Sequence, residues 1–204
     1  MNRPRRSFVC ALEGIDQSGK RTQSELLVRH LREQGYGVEA LAFPVYSTEI
    51  GRMILTSLKG KGSPSARVRH VLLAANRWEL EPTLRGWLAE GRTVVLDRFS
   101  ASNYAYGLAN GLPLRWLENL EKGLPEPDLT VIIDILPETS LTRKPKGRDS
   151  YERDLEFLSR VRASYLQLAK NRHWPVVNGE RVSDEIREEI LKIMDRRLGR
   201  RHQP

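Results

Sequence analysis

Short apolar runs alternate with stretches of helical spacing along the whole chain. Residues 8–12, Phe8 to Leu12, are continuously apolar, as in a strand covered on both faces. Residues 22–33 follow with Leu26, Leu27, Val28 and Leu31 on one side, which predicts a helix closed by Gly35 and Gly37. A second strand is expected over 38–43, stopped by Pro44, then a short amphipathic helix over 50–58. The glycines and Pro64 mark 59–65 as a loop. A long helical stretch covers 66–90, with Pro82 marking a kink or break, and a third strand over 93–96 ends at Asp97-Arg98. Helix is predicted over 114–122, a rigid Gly- and Pro-containing connector over 123–127, and the most apolar strand over 129–135. A basic loop spans 143–150. A helix over 152–170, a fifth strand over 175–178 and a closing helix over 183–198, capped by Ser183, complete the pattern.

Five short strands separated by helices imply an α/β fold, a five-stranded parallel sheet with helices on both faces. The length of 204 residues favours one domain over residues 1–204, and no repeat or low-complexity segment suggests a boundary. Hydrophobic residues make up 39% and charged residues 29%, the mix of a globular protein. No apolar run approaches the ~20 residues of a membrane span.

The net charge of +8 at first points to a polyanionic partner. Its placement changes that reading. Arg3, Arg5 and Arg6 sit in residues 1–6, and Arg196, Arg197, Arg200 and Arg201 in residues 196–204, read as basic, frayed tails. The remaining 27 basic and 26 acidic residues nearly cancel. The single cysteine, Cys10, lies in the first apolar run and reads as a small core residue, so no disulfide framework is available. The four histidines show no ligand spacing, and the expected compartment is the cytoplasm.

Candidate chemistry concentrates between the first strand and the first helix, in Gly14-Ile15-Asp16-Gln17-Ser18-Gly19-Lys20-Arg21-Thr22. Gly-x4-Gly-Lys in that context is a phosphate loop: glycines let backbone N–H groups turn inward, the helix N-terminus adds positive dipole, and Lys20 reaches the β/γ-phosphates. The Ser or Thr that usually follows the lysine and holds Mg²⁺ is Arg21, and Thr22 comes one residue late, facing elsewhere on the helix. Metal binding must then draw on Asp16, Asp97 or an acid of the basic loop. Asp97-Arg98 ends a strand where open α/β sheets bind ligands, suited to a metal or an oxyanion, or else to a structural ion pair. Arg77 lies among core-like residues and needs an anion, with Glu79 and Glu81 as the alternatives to a ligand. Arg143, Lys144, Lys146, Arg148 and Arg153 form either a solvated loop or a mobile basic lid over residues 143–151.

These segments together resemble the thymidylate kinase family of P-loop nucleoside monophosphate kinases. The resemblance is carried, in order, by Glu13-Gly14-Ile15-Asp16…Gly19-Lys20, Phe43-Pro44 with Ser47 to Gly51, Ala75 to Glu79, Asp97-Arg98-Phe99…Ser102, Gly123 to Leu129, and Arg148 to Glu152. It implies transfer of phosphate from ATP to dTMP with Mg²⁺. Lys20 and the loop residues 14–22 would hold ATP. Asp16, Phe43, Tyr46, Leu73, Arg77, Arg98, Ser102, Asn103, Tyr106 and Tyr151 would meet dTMP, with Tyr106 crowding a ribose 2′-hydroxyl. Asp97, Arg98, Arg143 and Arg148 would assist transfer, and Asp16 and Glu152 would place the metal. Its members form homodimers through helices, so nucleotides and a second copy, rather than membrane or nucleic acid, are the expected partners. Leu73 stands where most members have a phenylalanine, Tyr46 where many have an arginine, and Gln17 where an arginine or glycine is common. A related nucleoside monophosphate kinase with altered base choice is therefore the alternative. A weakly catalytic phosphate-loop protein that binds nucleic acid through its tails is a more distant one.

Overall fold

The computed structural model describes residues 7–59, 64–143 and 154–201. Five parallel strands form one sheet: β1 (Phe8–Glu13), β2 (Val38–Ala42), β3 (Thr93–Asp97), β4 (Leu129–Asp134) and β5 (Val176–Asn178), in the order β2-β3-β1-β4-β5. The register pairs Leu12 with Asp97 and with Val131, so β1 and β3 deliver their last residues to the same level. The central strand β1 is buried at every position, which explains its unbroken apolar run. Cys10 lies inside it, where burial first and the nearby Asp128 second push its thiol up to about 12.

Helices α1 (Lys20–Glu33) and α8 (Ser183–Arg201) cover one face, where Leu27, Leu31, Ile190 and Met194 pack on Phe8, Cys10 and Val131. On the other face, α4 (Ser100–Ala109), α5 (Leu114–Glu121) and α7 (Leu155–Arg172) bury Ala105, Leu117, Leu158 and Tyr165 against Ile132. Helix α3 (Ala66–Ala89) packs Leu84 beside Val94, Leu96 and Phe99, and α2 (Glu49–Lys59) lies against it.

Most strand boundaries agree with the sequence pattern, but several helices differ. The helix α3 runs without a break through Pro82, although proline removes an internal hydrogen bond there. Anchors on both sides of the proline, Arg77 to Glu121 and Leu84 in the core, hold the turns together. Helix α4 and the short α6 (Pro137–Arg143) were not expected from the pattern. The apolar and polar residues of 100–109, Ser-Ala-Ser-Asn-Tyr-Ala-Tyr-Gly-Leu-Ala, give no clean stripe because α4 turns polar residues toward the site as well as apolar ones toward the core. Helix α1 starts at Lys20, two residues before the apolar spacing begins. Helix α8 continues to Arg201, so the basic stretch from residue 196 begins as helix rather than as a frayed tail. Residues 1–6, most of the basic loop, including Lys144, Lys146 and Arg148, and the residues after it, Tyr151, Glu152 and Arg153, lie outside the described residues.

Gly51 sets how closely α2 approaches the loop after β2. A Cβ on Gly51 would sit 1.9 Å from the carbonyl oxygen of Val45, a backbone atom with no side-chain freedom to yield. Gly51→Ala should therefore cost roughly 1–3 kcal/mol, as overpacking does. Urea unfolding would measure it, and unchanged stability would show that the approach is loose.

Candidate active site

The upper ends of β1 and β3 open into the phosphate loop and into the turn that starts α4. Gly14 has φ 143°, and a Cβ there would meet the Ile133 carbonyl at 2.3 Å, so the loop closes against β4 only with glycine. Ile15 turns inward to the core rather than toward solvent. The Lys20 ammonium donates to the Ile15 carbonyl at 2.7 Å and to Ser18 Oγ at 3.2 Å. Burial, reinforced by the Arg98 charge, lowers Lys20 to about 7 despite Asp16, Asp97 and Glu13 nearby. Arg21 points outward and pairs with Glu25 at 3.0 Å on an exposed turn, so it offers no hydroxyl to a metal. Thr22, expected to face elsewhere, lines the cavity beside the loop after all.

Arg98 takes a left-handed conformation, φ 67°, which swings its side chain across the loop. Nη1 donates to the Gly14 carbonyl at 3.0 Å and Ser102 Oγ at 3.2 Å, and Nη2 to Asp16 Oδ1 at 2.6 Å. The guanidinium also lies 5.6 Å from the centre of the Tyr106 ring, whose hydroxyl donates to Asp16 Oδ2 at 2.6 Å. Burial pushes the Asp16 carboxyl up, but Arg98, Lys20 and these hydrogen bonds outweigh it and hold Asp16 below the usual range. Asp97 has no side-chain hydrogen bond among the described residues.

Beneath this clasp lies Glu13, fully buried. Its Oε1 accepts from the backbone N–H of Phe99 at 2.7 Å and of Ser102 at 3.2 Å, and its Oε2 from Ser102 Oγ at 2.6 Å and the Tyr165 hydroxyl at 3.0 Å. Helix α4 has no capping side chain of its own at Phe99, so Glu13 caps it from a neighbouring strand. Burial raises the Glu13 carboxyl, and the four hydrogen bonds with the Arg98 charge oppose that rise.

Two cavities adjoin here. The larger, about 640 Å³, is lined by residues 16–23 of the phosphate loop and by Asp97, Arg98, Arg143, Arg181 and Ser183. The smaller, about 170 Å³, is lined by every described residue of the expected acceptor set: Asp16, Phe43, Tyr46, Leu73, Arg77, Arg98, Ser102, Asn103 and Tyr106. Asp16, Phe43 and Arg98 belong to both. Arg143, at the end of α6, donates to the Gln17 carbonyl at 3.1 Å and the Gly179 carbonyl at 2.9 Å, which brings it to the phosphate loop. The anion that Arg77 requires is neither Glu79 nor Glu81 but Glu121, bonded at Nε at 2.8 Å and again at Nη2.

Sequence reasoning quoted Glu13 without giving it a role, read Ser183 only as a helix cap and His70 only as lacking ligand spacing, and passed over Tyr165, Glu121 and Arg181. Glu13 carried a usable signal, an acid continuing an otherwise wholly apolar strand. The others come from distant elements and carry none.

A strand, glycine-bent loop and helix that turn a lysine and backbone amides toward one cavity, with an arginine-lined second cavity adjoining it, define a phosphate-loop nucleotide kinase. The sequence profile of the family "Thymidylate kinase" matches residues 12–190, so the chain belongs to the thymidylate kinase family. It is 34% identical over 192 residues to thymidylate kinase of Dictyostelium discoideum, covering 94% of this chain and 86% of that one. It is also 34% identical over 194 residues to thymidylate kinase of Homo sapiens, covering 94% and 91%. The solved structure of thymidylate kinase from Candida albicans, described as having broad substrate specificity, superposes with a TM-score of 0.83 at 29% identity, covering 95% of this chain and 94% of the other.

The lowered Lys20 makes stability depend on pH in a defined direction. The unfolded chain holds the proton up to about 10.5, whereas the folded protein releases it near 7. Between those values the unfolded state binds more protons, so stability rises with pH, and below the window the full penalty of a buried charge is present. Urea unfolding at pH 7 and pH 9 should show the wild type gaining stability relative to Lys20→Met. Parallel curves would mean that Lys20 is not shifted.

Proposed function

We propose that the protein transfers the γ-phosphoryl group of ATP to dTMP, yielding ADP and dTDP. The observation that carries this reading is the meeting of the two cavities at Asp16 and Arg98. A donor on the phosphate-loop side and an acceptor on the other bring their phosphates together where positive charge is densest.

Loop amides from Gly14 to Thr22 and the Lys20 ammonium hold the ATP phosphates. Phosphate against Lys20 replaces its bonds to Ile15 and Ser18 and restores its charge. Arg98 grips the acceptor phosphate. Arg143, and Arg148 from the basic loop, spread positive charge over the migrating group and exclude water. Phe43, Tyr46, Leu73, Arg77, Ser102, Asn103, Tyr106 and Tyr151 surround the acceptor nucleoside, and Tyr106 discriminates against a 2′-hydroxyl. Catalysis is positioning and electrostatics, with no covalent intermediate.

Mg²⁺ fits this set of groups. A magnesium ion takes one or two carboxylates together with substrate phosphates, and the open oxygens of Asp97 and the carboxylate of Asp16 flank the loop. Asp16 is already bonded through both oxygens, which makes Asp97 the readier direct ligand, with Glu152, just after the basic lid, as a third. The ion supplies charge neutralisation on the phosphates when bound. Exposed Met53 on α2 and exposed Val68 and Val71 on α3 support a homodimer through these helices.

Leu73 favours a second reading, a kinase of this family with relaxed base choice. It gives the base apolar contact without ring stacking, which weakens binding by roughly 1 kcal/mol.

A coupled assay for ADP release with dTMP, dUMP, dGMP, CMP and UMP as acceptors separates the readings. The expected result is release that is strongest with dTMP, and none with dTMP would refute the proposal. Lys20→Ala and Arg98→Ala should each lower kcat by about 10²–10³, the range for loss of one charge-stabilising group, with circular dichroism unchanged. Normal turnover in either would refute its role.

A further inference from the structure

The polar wall of the smaller cavity is organised by a carboxylate that the reaction itself does not need. Glu121, at the end of α5, is buried, and its two oxygens serve two residues of that wall. Oε2 accepts from Arg77 Nε at 2.8 Å, Oε1 accepts from Arg77 Nη2, and Oε1 also accepts from Asn103 Nδ2 at 2.6 Å. Asn103 Nδ2 donates again to the His70 carbonyl at 3.3 Å, and the His70 ring faces Asn103 Oδ1 through Nδ1 at 2.6 Å. His70 is lowered to about 4, chiefly by burial, so the ring is neutral near pH 7.

An ionised carboxylate only accepts, so the group of Asn103 that faces Glu121 must be the NH₂. That leaves Oδ1 toward His70, whose ring answers with Nδ1–H and whose Nε2 then accepts from Asn110 Nδ2 at 3.4 Å. The neutral imidazole could present either tautomer; the carboxylate cannot reverse. Both N–H groups of the Asn103 amide are spent, and its one unspent capacity is an Oδ1 lone pair. Arg77 has Nε and Nη2 engaged, and its Nη1 makes no hydrogen bond among the described residues. The capacities these two cavity-lining residues keep unspent are thus an acceptor on Asn103 and a donor on Arg77. A base edge carrying N–H next to C=O, as in thymine and uracil, complements that pair. Cytosine presents the reverse order, a ring nitrogen acceptor next to an amino donor.

We propose that Glu121 is a positioning residue that sets base choice, by fixing the Asn103 amide and the Arg77 fork so that the pocket takes an N–H/C=O edge and rejects its reverse. This rests on the reading of the smaller cavity as the acceptor site. Reversing the amide would place a carbonyl oxygen against the carboxylate, so the polarity is set by like-charge repulsion as well as by the bonds made.

The test is kcat/KM for dTMP and dCMP, acceptors of similar size, in wild type, Glu121→Gln and Glu121→Asp. A glutamine can donate as well as accept, which permits Asn103 to turn. In E121Q the dTMP-to-dCMP preference should fall about tenfold, the equivalent of one net hydrogen bond, with KM for dTMP rising, KM for dCMP falling and KM for ATP unchanged. E121D keeps an acceptor-only partner and should keep more of the preference than E121Q. Parallel losses for both acceptors, or an unchanged preference, would overturn the proposal, because a merely structural role cannot move the two KM values in opposite directions. Should E121Q not fold by circular dichroism, Asn103→Ala decides: loss of the preference supports the proposal and a wild-type preference overturns it. Absence of dTMP turnover in the wild type would instead sink the kinase reading and this inference with it, whereas normal dTMP turnover with an unaltered E121Q preference removes this inference alone.

Discussion

The arrangement of the site depends on one buried carboxylate at the top of the central strand. Glu13 has no room for water, so each of its oxygens must be answered from within the protein. The answers come from the backbone at Phe99 and Ser102, the Ser102 hydroxyl and the Tyr165 hydroxyl. Those groups belong to the turn after β3, to α4 and to α7. A single acid therefore holds the phosphate loop, the arginine-bearing turn and two helices in one relation. The charge that lets the Arg98 guanidinium sit buried next to Lys20, despite the repulsion between them, comes first from Asp16.

Above that brace the charges are arranged in opposition. Asp16 is held ionised by Arg98 and Lys20, and Arg98 is held in place by Asp16, Gly14, Ser102 and the face of Tyr106. None of these contacts is long, and together they leave the cationic groups facing two adjoining spaces. The same principle recurs at the smaller cavity, where Glu121 orders Arg77 and Asn103. Buried acids set the geometry, and the cations they orient line the two cavities. The net charge of +8 has little to do with this, since its excess lies in the terminal arginines.

Much of the site was legible in the sequence because its contacts are local. The phosphate loop occupies consecutive residues between a strand and a helix, and Asp97-Arg98 directly ends a strand, so spacing alone places them at the ligand-binding edge. The sheet was legible for a similar reason: strands buried on both faces read as continuous apolar runs. Helix α4 was not, because it mixes core-facing Ala105 with site-facing Ser102, Asn103 and Tyr106 and shows no simple stripe. The partner of Arg77 was not either. Glu79 and Glu81 are near in sequence, but Glu121 reaches Arg77 from 44 residues away, through the packing of α5 against α3. Long-range pairings of this kind leave no spacing to read.

Two cavities that bring donor and acceptor phosphates together at Asp16 and Arg98 predict direct transfer between the nucleotides. Incubation with ATP labelled at the γ-phosphorus and with dTMP tests it most directly. The label should appear in dTDP in step with ADP formation. Label recovered as inorganic phosphate, with none in dTDP, would contradict the account.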